Sequence, residues 1–345
     1  MRTIALLLML GMSIYAGIAV AQNSYAQSNL TSDLSHVAAN TDSKLVNPWG
    51  IAFFPGGPFW VADNNSGFST LYDATGKKQS LVVTTPPPSD MTGPGTPTGI
   101  VTNSTSGFLV AGAPAVFIFD SEDGTISAWW TGTQSSITVD NSDSGAVYKG
   151  LAMLTNTFGT FLLAANFNSG KIEVYDQTWK LTTLTGNFTD PTLPKGYAAF
   201  SVHVIGSAVY VTYAKQNSLK HDPVIGPGHG YVSQFDTHGN FVRRFASAGV
   251  LDSPWGVVMA PTTGFGAFSA ALLIGNFGDG IINAFSPTTG KLLGQIQNPD
   301  GTVIHNPGLW DMVFSAGGTG SPTTLYFTSG ILSEAHGLFG AIATK

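Results

Sequence analysis

A short apolar segment, introduced in four of six cases by an aromatic residue and most often carrying glycine at its second position, returns six times along the 345-residue chain. It reads Trp49-Gly50-Ile51, Thr98-Gly99-Ile100, Lys149-Gly150-Leu151, Phe200-Ser201-Val202, Trp255-Gly256-Val257 and Trp310-Asp311-Met312. Successive second positions are 49, 51, 51, 55 and 55 residues apart, a spacing that suits one four-stranded blade rather than a helical repeat. Within a period, a second apolar run leads through a glycine turn to a third. Examples are Phe59–Asp63 to Phe68–Asp73, Phe161–Asn166 to Lys171–Asp176 and Leu272–Asn276 to Ile281–Ser286. Alternating apolar residues bounded by Gly, Asn and Asp read as hairpins. The expectation is an all-β fold: a six-bladed β-propeller of four-stranded antiparallel blades. Only 34 residues follow Asp311, enough for three strands. An N-terminal strand near Tyr25–Thr31 is therefore expected to complete the last blade and close the ring, leaving no free sheet edge.

Residues 1–21 carry one arginine, an apolar run from Ile4 to Leu10 and an Ala19-Val20-Ala21 site, the pattern of a secretory signal peptide. The domain expectation is thus a leader over 1–21 and one propeller over 22–345, with no membrane span after cleavage. The product would be secreted, periplasmic or at a bacterial cell surface. The chain has no cysteine, which excludes disulfides, thiolate metal sites and a cysteine nucleophile. With 14 basic residues and a net charge of −6 it lacks the basic footprint of a nucleic-acid binder. A ring with closed edges has no need to dimerise, so a monomer is expected.

Departures from the repeat mark candidate function. Asp63, Asn166 and Asn276 each stand four residues before a turn glycine. Asp120 stands likewise before Gly124, although Phe108–Ala111 competes as second strand there. Such acceptors at a channel mouth would suit Ca²⁺ or another divalent cation; equally, Asp and Asn start tight turns. On the innermost strands Lys149, His203 and Asp311 put polar groups near the axis, where they need partners or water. An insert in the fourth repeat, 213–230, carries Lys215, Lys220, His221, Asp222 and His229, and a shorter one in the sixth carries Glu334 and His336. Both would arch over the same face, as ligand-binding loops or as plain surface. His203, His221 and His229 are the candidate bases. No HExxH, GxSxG or phosphate-loop motif occurs, and no organic cofactor is expected.

The segments Asn47-Pro48-Trp49-Gly50, Glu122-Asp123-Gly124-Thr125, Tyr213-Ala214-Lys215-Gln216 and Phe235-Asp236-Thr237-His238-Gly239-Asn240 resemble those of a family of exported bacterial six-bladed propeller proteins. More distantly, the blade pattern is similar to NHL-type propellers and to gluconolactonase- and paraoxonase-like hydrolases. The latter resemblance implies a divalent metal held by Asp, Asn and Glu side chains, with Asp63, Asn166 and Asn276 as equivalents by blade position and no match for the glutamate near Asn47-Pro48-Trp49. Two functions follow as expectations. One is a binding protein for a small molecule or extracellular glycan at the channel mouth, with or without a divalent cation. The other is a metal-dependent hydrolase or lyase acting on a lactone, ester or polysaccharide.

Overall fold

The computed structural model describes residues 23–345; the leader expected over 1–21 lies outside them. The six repeats form six antiparallel sheets arranged around one axis. Blade one is built from Pro48–Ala52, Phe59–Asp63, Phe68–Tyr72 and Lys78–Thr84. Blade two uses Pro97–Thr102, Phe117–Ser121, Thr125–Trp129 and Ser136–Asp140. The ambiguity in the second repeat is thereby resolved: Phe117–Ser121 is the second strand, and Leu109–Val110 pairs with Ala113–Pro114 as a small side hairpin. Blades three, four and five begin at Tyr148–Asn156, Tyr197–Ile205 and Pro254–Met259.

Blade six contains Leu309–Phe314, Leu325–Ser329 and Leu338–Thr344, and its fourth strand is Tyr25–Ser32, antiparallel to Leu338–Thr344. The ring is closed as the residue count required. Tyr25 anchors the closure: its ring is fully buried and its hydroxyl donates to the Phe265 carbonyl at 3.1 Å.

The recurrent glycine has a steric cause. A Cβ on Gly50 would stand 2.9 Å from the backbone nitrogen of Ile100, and one on Gly99 would stand 2.6 Å from that of Leu151. Innermost strands of neighbouring blades pass too closely there for any side chain. Apolar clusters fill the spaces between blades. A separate cluster of Trp49, Trp255, Trp310, Phe167 and Phe200 lies where the innermost strands begin. The tryptophans are packing residues: Trp49 stacks on Trp310 at 3.4 Å between ring centroids, and all three are at most 2% exposed. This aromatic layer divides the channel into a mouth and a lower half.

Candidate functional site

At the mouth, four polar residues from three blades converge over the aromatic layer. Lys149 occupies the first position of its repeat segment, where three other repeats have tryptophan. Its side chain is 1% exposed and its ammonium lies 5.3 Å from the centroid of Trp49. A charge so placed must be paired. The ammonium donates to Glu122 Oε1 and stands 3.5 Å from Asp222 Oδ1. Glu122 sits on the tight turn between the second and third strands of blade two. Asp222 comes from the fourth-repeat insert, which arches over this face as expected. Asn217 and Val224 tie the insert back to Asp222 and Lys215 through backbone hydrogen bonds of 2.9 and 2.7 Å. Its His221 Nδ1 lies 2.8 Å from Asp222 Oδ1.

The electrostatics follow from that contact. Asp222 is held down to about 2, first by the His221 hydrogen bond and then by the nearby Lys149 charge. His221 is pushed above the usual imidazole value, chiefly by the same bond. Ligand atoms of Glu122, His221 and Asp222 all lie within 4.8 Å of one another. Two carboxylates and an imidazole are a donor set for a divalent cation. The nitrogen suits Zn²⁺ or a related first-row metal, whereas Ca²⁺ takes oxygen ligands. The residues fit such an ion in competition with the Lys149 ammonium.

Glu334, from the sixth-repeat insert, completes the acidic side. Asn47 Nδ2 donates to its Oε2 at 3.2 Å, and Asn65 Nδ2 to its backbone carbonyl at 2.8 Å. Burial, and next the charge of Glu122, raise its carboxyl to about 6. Leu332, Ser333 and Glu334 run consecutively at φ of 54, 57 and 66°. Left-handed backbone costs about 1–2 kcal/mol per non-glycine residue, and such strain collects at functional sites. Asn64 Nδ2 donates to Glu122 Oε2 at 2.8 Å, so blade one braces both carboxylates. Beside the cluster is a groove of about 490 Å³ lined by Glu122, His221, Met91, Asn168 and Val147.

The structure thus brings together Lys149, His221, Asp222 and Glu334 of the residues singled out from sequence. Glu122, Asn47, Asn64 and Asn65 were missed as site residues. A signal for Glu122 existed: with Asp120 four before Gly124, Glu122 falls on the turn facing the mouth.

The remaining candidates lie elsewhere. Asp63 accepts from Thr70 Oγ1 at 2.7 Å, and burial pushes its carboxyl well above the ordinary value. Asn166 donates to Glu173 at 2.7 Å, and Asn276 to the Val250 carbonyl at 2.8 Å. These contacts are local to each blade or its entry loop. Among the described residues, the cluster of carboxylates and histidine with metal-ligand spacing is Glu122, His221 and Asp222. Asp311 does not reach Lys149. Its two carboxylate oxygens accept the backbone N–H of Met312 at 2.7 Å and of Ile51 at 2.9 Å, joining blades six and one. His203 Nε2 lies 2.8 Å from the Trp255 carbonyl, joining blades four and five. His229 bonds the Val224 carbonyl within the insert at 2.8 Å, and His336 bonds Asp33 at 2.6 Å. Lys215 ends its strand at the base of the insert.

The sequence is 32% identical over 327 residues to uncharacterized protein R648 of Acanthamoeba polyphaga mimivirus, covering 91% of this chain and 78% of the relative. It is 33% identical to uncharacterized protein L690 of the same virus, covering 77% and 72%. The chain belongs to the family of these mimivirus proteins. The expected family of exported bacterial proteins is thereby corrected. The segments that suggested it, such as Asn47-Pro48-Trp49-Gly50, serve blade geometry, which any lineage of propellers must satisfy. No family model matches the sequence.

Among solved structures, streptogramin B lyase matches with a TM-score of 0.56 at 10% identity, over 94% of this chain and 99% of that one. The calcium-binding protein regucalcin from Agrobacterium tumefaciens matches at 0.53 and 14%, over 87% and 90%. At such identities the likeness establishes the propeller fold. Among the described residues no helix is long and apolar enough to cross a membrane.

Proposed function

We propose that this protein binds a small molecule or glycan at the mouth of its channel through a divalent cation held by Glu122, His221 and Asp222. The observation that carries the reading is the convergence of three cation-ligating side chains from two blades within 4.8 Å. It is supported by charge: Glu122, Asp222 and Glu334 outnumber Lys149, and the charges of Glu122 and Asp222 add to the burial that raises the carboxyl of Glu334. The groove beside His221 offers room for the ligand's body. Structural likeness to a calcium-binding protein is compatible with a cation here, although the imidazole favours a first-row metal over Ca²⁺. Export is part of the proposal, supported by the leader pattern over 1–21.

Calorimetric titration of the metal-free protein with Zn²⁺, Mn²⁺ and Ca²⁺ tests it. One Zn²⁺ or Mn²⁺ per chain is expected, lost in Asp222→Asn and kept in Asn166→Ala. Absence of stoichiometric binding by all three ions overturns the reading.

A second reading, a metal-dependent lyase or hydrolase, is favoured by one contact. Asp222 holds His221 at Nδ1; in this reading the carboxylates of Glu122 and Asp222 hold the cation and His221 Nε2 is left as a general base beside the groove. The match to streptogramin B lyase adds a candidate reaction class. Turnover of cyclic ester substrates by the metal-loaded protein, abolished in His221→Gln, would separate the lyase from the binding protein.

A further inference from the structure

Below the aromatic layer, the innermost strands line a pocket of about 270 Å³ that opens to solvent. Its wall is mostly aliphatic, with Ile100, Leu151, Met153, Val202, Val257 and Met312 among the lining residues, and its two titratable side chains are His203 and Asp311. Both oxygens of Asp311 already accept backbone N–H groups. His203 is different. A carbonyl oxygen can only accept, so Nε2, 2.8 Å from the Trp255 carbonyl, must carry the ring proton and donate it. Ser201 Oγ at 3.0 Å shares the same nitrogen. Nδ1 therefore bears a lone pair and has no hydrogen-bond partner among the described residues. Burial lowers the imidazole to about 4, which keeps it neutral and this tautomer in place.

The aliphatic side chains of the lining favour an apolar occupant, and the free lone pair of His203 Nδ1 favours one that carries a single donor. An apolar cavity of about 150 Å³ is already large enough for a benzene ring. We infer that this lower half of the channel is a second ligand site, for a small uncharged apolar molecule with one O–H or N–H donor, of the phenol class, oriented by His203 Nδ1. The aromatic layer of Trp49, Trp255 and Trp310 separates it from the charged mouth, so the two sites are independent.

Phenol and benzene are the probes, titrated into the full-length mature protein and followed by calorimetry and NMR. In a cavity without an acceptor, benzene wins, because the phenol hydroxyl would be buried unpaired. Here phenol is expected to bind at least as tightly as benzene. His203→Leu is expected to weaken phenol about tenfold while retaining benzene, the loss of one buried hydrogen bond. In the unsubstituted protein the ¹⁵N resonance of His203 Nδ1 should move on adding phenol and stay in place on adding benzene, a readout that needs no variant to fold. Three results would each overturn the inference: neither probe binds, so water alone occupies the channel; benzene binds more tightly than phenol; or phenol binding is lost in Asp222→Asn, which would put it at the mouth.

Discussion

Lys149 and Glu122 form an ion pair across the boundary between blades two and three, with the lysine side chain 1% and the glutamate 14% exposed. Neither charge is stable there alone. The pair links the turn of one blade to the innermost strand of the next, and Asp222 and Asn64 close round it. The mouth is thus assembled by charge pairing on a floor of tryptophan.

Removing one partner should therefore cost more than removing both. Glu122→Gln leaves a buried ammonium with Asp222 as its remaining partner, a loss of about 3 kcal/mol. Lys149→Met with Glu122→Gln should recover most of that loss, since methionine packs against Trp49 and Phe167. Urea unfolding of both variants checks the order; a double variant less stable than Glu122→Gln contradicts it.

Cation binding should depend on pH through His221. A protonated imidazole cannot ligate, and Asp222 raises the pKa of His221. Affinity for Zn²⁺ is then full above that raised pKa and falls as pH drops through it. The comparison is calorimetric titration at pH 8 and pH 6; a pH-independent affinity would exclude His221 as ligand.

Asp120 predicts a stability slope of unusual sign. It is fully buried, accepts from Thr98 Oγ1 and the Gly99 N–H, and is raised to about 7, chiefly by burial. The folded protein keeps the proton that the unfolded chain releases near 3.8. Its contribution is fully present below 3.8 and is lost as pH rises through about 7. The loss is on the order of 4 kcal/mol. Denaturation at pH 4 and pH 7.5 should show a smaller fall for Asp120→Asn than for the unsubstituted protein.

Ring closure should depend on Tyr25. Its hydroxyl donates to the Phe265 carbonyl and accepts from the Phe268 N–H at 3.3 Å. Tyr25→Phe strands both buried groups, about 1–2 kcal/mol. Tyr25→Ala also opens a cavity, about 3–5 kcal/mol. Thermal melts of the two variants should fall in that order.

The fold was legible because its determinants are local and periodic. Gly50 and Gly99 mark backbone contacts that admit no Cβ, and the count of residues after Asp311 left one strand to be supplied by Tyr25–Ser32. The side hairpin of blade two was ambiguous because Phe108–Ala111 and Phe117–Ser121 have the same apolar character. The candidate site was half legible. Lys149, His221, Asp222 and Glu334 stood out because a charge interrupting an apolar position, or clustered in a long insert, is visible in one dimension. Glu122 and Asn64 did not, because Asp, Asn and Glu are ordinary at turns.

By itself, the sequence determined the six-fold period, the four-stranded blades, the closing strand and the face that the inserts cover, since each follows from spacing and backbone sterics along the chain. Tertiary structure alone decided which polar groups meet. Lys149 pairs with Glu122, 27 residues away, and not with Asp311; His221 and Asp222 reach the same point from 73 residues beyond Lys149 or nearly so. The physical reason is that a buried charge takes the nearest partner across a blade boundary, and closure of the ring sets that distance.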